Sequence, residues 1–400
     1  MKLPIYMDNH ATTRIDPHVL EAMMPWLTEN YGNAASRSHG FGWAAEQAVE
    51  TARAQVAKLI GATAREIVFT SGATESNNLA IFGAVDAARA AGPERAIHVV
   101  TQATEHKAVL DPCAWLEKKS CRVTVLPVDA EGRVRVGDLR RLLDESGDDG
   151  KPLLVTILAA NNEIGTLQPI EEIGALCHER GVLFHTDAAQ ALGKIPVDVN
   201  RSRIDLLSIS GHKIYGPKGV GALFVRRNHP RVRLTEQMHG GGHERGMRSG
   251  TLNVAGIVGL GAACEIAGAE MEAEGAQLAR LRDQLQAKLV AGLDHVRVNG
   301  APEHRLPGNL NITFEGVDSE TLMMALKDVA LSSGSACTSA KIEPSHVLRA
   351  LGLDEEAAHS SLRFGLGRFN TEEEVDYVAD RLIDAVKKLR EISPAFADMT

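Results

Sequence analysis

Seven short apolar runs constrain this chain more than any other feature: Ile67 to Thr70, Ile97 to Val100, Val123 to Leu126, Leu153 to Leu158, Val182 to His185, Leu206 to Ile209 and Ala222 to Val225. Most are separated by amphipathic segments of helical length, such as Ser76 to Ala90 and Ile170 to Arg180. Continuous apolar runs of this kind are strands buried on both faces, and their alternation with helices is the βαβ rhythm of a mostly parallel sheet. The predicted fold class is therefore α/β, and ligands on such sheets gather at the carboxyl ends of the strands.

The texture changes after Gly275. A charged helix is expected over Ala276 to Ala291, then a strand over Leu310 to Phe314, a helix over Ser319 to Lys327, and a final helix opening near Thr371 with a capping-box pattern. These elements read as a smaller α+β lobe. Val254 to Ala269 is the most membrane-like stretch, but Glu265 interrupts it, and at that length it reads as a buried helix. At 400 residues the chain exceeds one core of usual size, so a large and a small domain sharing a cleft are expected.

Charge and cysteine usage remove several function classes. A net charge of -9 and a pI near 5.9 argue against a nucleic-acid footprint. One basic exception, Arg226 to Arg233, reads either as a solvated face or as a docking patch for an acidic partner. Cys113, Cys121, Cys177, Cys264 and Cys337 form no CxxC pair, which disfavours a disulfide framework and structural zinc. The residues from Met1 to Asp8 contain no signal-peptide core, and the expected compartment is the cytoplasm, with no membrane partner.

The chemistry-bearing residues follow predicted strand ends. Ser71 to Ser76 opens a helix where free amides favour a phosphate, although a plain N-cap explains the same letters. Asp187 is placed either to keep a pyridine nitrogen protonated or to cap a helix, with Gln190 one turn later able to reach a phenolic oxygen. Lys213 precedes the tight GPKGVG turn, which lacks nucleotide-loop spacing. Its amine is suited to a Schiff base. His106 can stack on an aromatic cofactor and move protons, or be structural. The segment from His239 to Glu244 lacks the helical HExxH order, so no metal site is assigned to it. Four cysteines sit in helix-like or strand-like contexts as expected core, whereas Cys337 stands among Ser, Gly, Ala and Thr, where a thiol is accessible.

Taken together, DNHATT, SGATES, TEHKAVL, NNEIG, HTDAAQ, SGHKIYGPKG, HGGGHERGMRSGT and SSGSACTS closely resemble the cysteine desulfurases of iron–sulfur cluster assembly over nearly the whole chain. These belong to the class V aminotransferase group of fold type I enzymes that depend on pyridoxal 5'-phosphate. The resemblance implies a large domain over residues 15–262 with a seven-stranded sheet, and a small domain of residues 1–14 and 263–400 carrying the cysteine loop. It makes Lys213 the Schiff-base lysine, Asp187 the pyridinium partner, His106 the stacking acid–base residue and Cys337 the sulfur acceptor. Ala73, Thr74, Ser210 and His212 would hold the phosphate, joined by Thr251 from a second subunit, which implies a homodimer. Asn162 and Gln190 would contact the ring-oxygen side, and Arg363 would clamp the substrate carboxylate.

The implied reaction converts L-cysteine to L-alanine and leaves a persulfide on Cys337 for delivery to acceptors. No resident metal is implied, Cys337 being the candidate for transient ligation of a cluster. The resemblance also extends to the basic patch where acidic partners of those relatives bind, here Arg226 to Arg233. One departure is the end at Ser393 to Thr400, which the bacterial housekeeping relatives extend with a tail that helps dock the cluster scaffold, so scaffold docking is not carried over with the rest. The rival readings are an aminotransferase or selenocysteine lyase on the same fold, and a sulfur carrier without turnover.

Overall fold

The computed structural model describes residues 2–92, 96–333, 344–392 and 396. Among these, seven strands form one sheet: β1 (Ile67–Thr70), β2 (His98–Gln102), β3 (Arg122–Leu126), β4 (Leu154–Thr156), β5 (Leu183–Asp187), β6 (Leu206–Ser210) and β7 (Gly221–Val225). Their spatial order is β1-β7-β6-β5-β4-β2-β3. Only β7 runs antiparallel to its two neighbours, so the sheet is mostly parallel, as the sequence predicts.

Alternation along each strand explains the two covered faces. Ile67 and Phe69 point into one core while Val68 between them points into another. The first core is closed by α1 (Pro17–Thr28), α2 (Gly40–Leu59), α5 (Ile170–Arg180) and the start of α6 (Val254–Gly292), through Val19, Val56, Ile173 and Leu260. The second is closed by α3 (Ala73–Ala91) and α4 (Lys107–Lys118), through Leu79 and Val109. Cys113, Cys121, Cys177 and Cys264 are all buried, and desolvation raises each thiol pKa, to about 12 for Cys113 and Cys264.

A smaller antiparallel sheet, β8 (Val296–Val298), β9 (Asn309–Phe314) and β10 (Ser361–Gly365) in the order β10-β9-β8, builds a separate core with α7 (Glu372–Glu391). Thr371 caps α7 in a capping box with Glu374, matching the pattern read in the sequence.

One expectation is corrected here. The stretches Val254 to Ala269 and Ala276 to Ala291 are a single helix of 39 residues that runs through Gly275. A mid-helix glycine costs about 1 kcal/mol relative to alanine, less than the burial gained on either side of it. The start of α6 lies in the first core through Ile257 and Leu260, and its end lies in the small core through Leu281, Leu285 and Leu289. The helix is therefore longer than the sequence reading allowed, long and apolar enough by composition to cross a membrane, with half of its most apolar window buried against protein. The expected division between residues 262 and 263 falls inside it.

The N-terminal segment links the same two cores. Ile5–Tyr6 pairs in parallel with Val329–Ala330, Asn9 N donates to Gly365 O at 3.0 Å, and Thr13 N donates to His212 O at 3.0 Å. Residues 5–13 thus pass from the small sheet to the end of β6.

Candidate active site

Strand ends place the predicted residues around one cavity of about 550 Å³. That is within the usual range for small-molecule sites. Its lining includes Ala73, Thr74, His106, Asn162, Asp187, Gln190, Ser210, His212, Lys213 and Arg363, so residues read from the sequence and residues implied by the resemblance meet in one place. Thr251 is exposed and does not line it. Cys337 lies outside the described residues. Of the residues flanking that segment, Ser332 O accepts from Arg363 N at 2.8 Å, and Ser345 Oγ bonds to Glu163.

The lysine follows directly from its strand. β6 ends at Ser210 and turns through Gly211–Lys213, a turn held by Gly211 N on Val220 O and Gly216 N on Gly211 O, both at 3.0 Å. Lys213 Nζ donates to the carbonyls of His10 and Ala11 at 2.6 and 2.7 Å. His212 beside it bonds Thr12 Oγ1 through Nδ1 at 3.1 Å. Burial first, then the charges of Lys213, Lys218 and Lys194, push its pKa down to about 4, so the ring is neutral.

Asp187 terminates β5 with little exposure. Its Oδ2 accepts from Asn77 Nδ2 at 2.7 Å and its Oδ1 from Ala189 N at 2.9 Å. These two donors fix the carboxylate at the strand end. Asn77 was not foreseen; the available signal was a polar residue one turn into α3, three positions after Thr74, on the face that also buries Ala80.

At the other side of the cavity Arg363, on β10, is nearly fully buried. Its Nη2 pairs with Asp8 at 2.8 Å and its Nη1 donates to Asn162 O at 3.0 Å, while Nε has no partner among the described residues. His106 caps α4, accepting from Ala108 N at 3.1 Å. The cap alternative and the functional one therefore use the same ring, since His106 also faces the cavity.

Gln190 lines the cavity with both carboxamide ends engaged: Nε2 donates to His10 O at 2.9 Å, and Oε1 receives Lys194 Nζ at 2.9 Å. His10 and Ala11 are further lining residues absent from the sequence argument; DNHATT carried the resemblance, yet nothing in it assigned a role to the histidine.

The groups present fit pyridoxal phosphate by the chemistry of the donor set. The amides at the start of α3, with Thr74, Ser210 and His212, offer donors to an anion. A carboxylate at the end of β5 and an amine in the turn after the adjacent β6 both line the cavity, and buried Arg363 Nε has no acceptor among the described residues.

The comparisons with known proteins agree. The family model for class V aminotransferases matches residues 5–378. Over 396 residues the chain is 58% identical to a cysteine desulfurase IscS of Anaeromyxobacter sp. (strain Fw109-5), covering 99% of this chain and 96% of that one. The chain belongs to the cysteine desulfurases of the class V aminotransferase family. The human cysteine desulfurase is 56% identical over 391 residues, covering 98% of this chain and 83% of that protein. Among solved structures, a NifS-like protein superposes with a TM-score of 0.86 at 38% identity, covering 96% of this chain and 99% of that one. Another, SspA in complex with cysteine, gives 0.78 at 37% identity, covering 92% and 100%. Enzymes of this family use pyridoxal phosphate.

Two sequence features of this cysteine desulfurase resolve differently from their first appearance. In the His239 to Glu244 stretch, Glu244 is buried and binds Arg53 through two bonds of 2.7 and 2.8 Å, also accepting from Phe69 N at 2.8 Å. Among the described residues no group of three or more His, Cys, Asp or Glu is arranged to hold a metal. In the arginine stretch, Arg226 is largely buried against Val199 O, Ile204 O and Asp205, leaving Arg231 and Arg233 as the exposed arginines.

Proposed function

We propose that the cavity binds pyridoxal 5'-phosphate and L-cysteine, and that the chain releases L-alanine while passing sulfur to Cys337 as a persulfide. The supporting observation is the convergence of Lys213, Asp187, His106 and Arg363 on one cavity from four separate elements. Lys213 Nζ would hold the cofactor covalently, Asp187 would pair with its ring nitrogen, His106 would stack on the ring, and Ala73, Thr74, Ser210 and His212 would take the phosphate. When bound, the cofactor supplies an electron-withdrawing ring that accepts the electron pair of a bond broken at the substrate's Cα.

The chain's own residues do the rest. Arg363 has Nη1 and Nη2 committed to Asn162 O and Asp8, which aligns the guanidinium and leaves Nε for the substrate carboxylate. Lys213 Nζ takes and returns the Cα proton, its position set by the two carbonyls of the N-terminal segment. The Cys337 sulfur must act as a thiolate, the nucleophilic form.

The rest of the reading follows the family. Thr251, exposed on its own subunit, would reach the phosphate of a second copy in a homodimer. Arg231 and Arg233 would meet an acidic partner, and sulfur would pass to a cluster scaffold and other acceptors in the cytoplasm.

The test is to incubate the purified holoenzyme with L-cysteine, quantify alanine and keto acid, and locate added sulfur by mass spectrometry. Stoichiometric mass gain on the peptide carrying Cys337, with alanine as product, is expected. Cys337→Ala should still bind cysteine and gain no sulfur. Keto-acid production, or persulfide transfer undiminished in Cys337→Ala, overturns the assignment.

A further inference from the structure

Asn77 is a fully buried amide among the cavity-lining residues, and the resemblance assigns it no role. Its place on α3 explains what it can reach. Ala73, Thr74 and Asn77 stand at i, i+1 and i+4, so they share one face of the helix, and all of them line the cavity. The first two belong to the turn whose donors suit a phosphate. Asn77 reaches instead to the end of β5, where its Nδ2 donates to Asp187 Oδ2 at 2.7 Å, the other carboxylate oxygen accepting from Ala189 N at 2.9 Å. A carboxylate only accepts, which settles that the NH2 end of the carboxamide faces it.

Stability alone does not account for an amide at this position. Asparagine is a poor residue for a helix interior. Among the described residues the Asn77 side chain bonds only to Asp187, and its Oδ1 is buried without a partner. A stranded acceptor is a cost to the folded state. Leucine, of similar size, would fill the space between α3 and β5 and strand nothing. What leucine cannot do is donate to Asp187.

We infer that Asn77 is a positioning residue, holding Asp187 as the partner of the cofactor's ring nitrogen. This rests on the reading of the cavity as a pyridoxal phosphate site. The bond has a geometric effect, because it ties Asp187 to the helix whose first turn would take the phosphate; one rigid element then sets both ends of the cofactor site. It also has an electrostatic effect. A donor to the carboxylate stabilises the charged form, so it opposes transfer of the ring-nitrogen proton onto Asp187. The proton stays on the nitrogen, where it strengthens the electron-withdrawing ring.

Two variants separate this role from packing: Asn77→Leu keeps the volume and removes the donor, and Asn77→Ala removes both. Pyridoxal phosphate titrated by absorbance into the cofactor-stripped full chain is expected to bind about tenfold more weakly to each variant, the scale of a lost hydrogen bond to a charged group. The 1-deaza analogue, which has carbon in place of the ring nitrogen, should bind each variant as it binds wild type. Equal losses for both compounds would reveal a packing role and overturn the inference, as would no loss for either.

A second readout follows the proton itself. Solid-state 15N NMR of holoenzyme loaded with ring-labelled pyridoxal phosphate should place the wild-type signal at the pyridinium position and displace it toward neutral pyridine in Asn77→Leu. An undisplaced signal overturns the inference. In turnover, kcat for alanine formation should fall about tenfold in Asn77→Leu while KM for L-cysteine holds, since Arg363 is untouched. A rise in KM with kcat unchanged would place Asn77 on the substrate side and overturn the inference. A wild type that takes up no pyridoxal phosphate sinks the cofactor reading and the inference with it, whereas normal uptake by wild type with unaltered variants sinks the inference alone.

Discussion

At the scale of single residues, burial sets the charge of several side chains in and around this site. His10, His185 and His212 are all held neutral, the latter two with pKa pushed down to about 4. Glu105, next to His106, is pushed the other way, to about 8, by desolvation with a smaller contribution from the Asp187 charge. Its Oε1 accepts from Leu158 N at 2.6 Å and from Gln102 Nε2 at 2.9 Å, which orders the strand end beyond β4. A carboxyl whose folded pKa lies above its usual value of 4.5 contributes stability that is complete below about 4.5 and lost as pH rises through about 8. Glu105→Gln keeps the Oε1 acceptor and removes the titration. Urea midpoints of wild type and variant should therefore diverge between about pH 4.5 and pH 8, the variant gaining on the wild type as pH rises, with a constant difference above that. A difference that does not vary with pH would show that Glu105 does not titrate in that window.

Between elements, one close approach bears on the site: β7 passes the turn into α3. A Cβ on Gly221 would sit 2.3 Å from Ile209 O and 2.6 Å from Gly72 Cα, so Gly221→Ala must push backbone against backbone. We expect a loss of ~1–3 kcal/mol, typical of overpacking, in urea unfolding. Because the displaced turn carries Ala73 and Thr74, pyridoxal phosphate titrated by absorbance should bind more weakly than to wild type. An unchanged affinity would mean that the start of α3 does not hold the phosphate. This junction also marks what a sequence can and cannot disclose. The apolar runs located all seven strands to within a residue or two, six of them because a strand buried on both faces has to be apolar, while the edge strand β3 is half exposed and was marked by its β-branched residues. The run from Leu153 to Leu158 gave only the three residues of β4, since Ile157 and Leu158 stay buried after the strand ends. Asn77 and His10 escaped notice for a different reason. A polar residue on a helix or in a turn looks the same in sequence whether it faces water or a buried carboxylate, and their partners Asp187 and Gln190 lie 110 and 180 positions away.

Over the whole molecule, the site depends on two lobes keeping a fixed relation. Lys213 and Asp187 come from the large sheet, and Arg363 comes from the small one. The N-terminal segment crosses between them, and α6 runs unbroken from the first core to the small core. A glycine in the middle of such a helix is either a joint that must bend during turnover or a position where the side chain is simply dispensable. Its surroundings favour the second: a Cβ on Gly275 would meet only Pro307 Cγ at 3.6 Å and Lys194 O at 3.9 Å, ordinary contact distances, and its φ is not positive. Gly275→Ala should then stabilise the protein by ~0.4–1 kcal/mol, mainly by restricting the unfolded chain, and raise the thermal midpoint. KM for L-cysteine and kcat should stay at their wild-type values, because α6 is already continuous through this point and Gly275 does not line the cavity. A raised midpoint accompanied by a fall in kcat would reverse the conclusion and make α6 a hinge that the reaction uses.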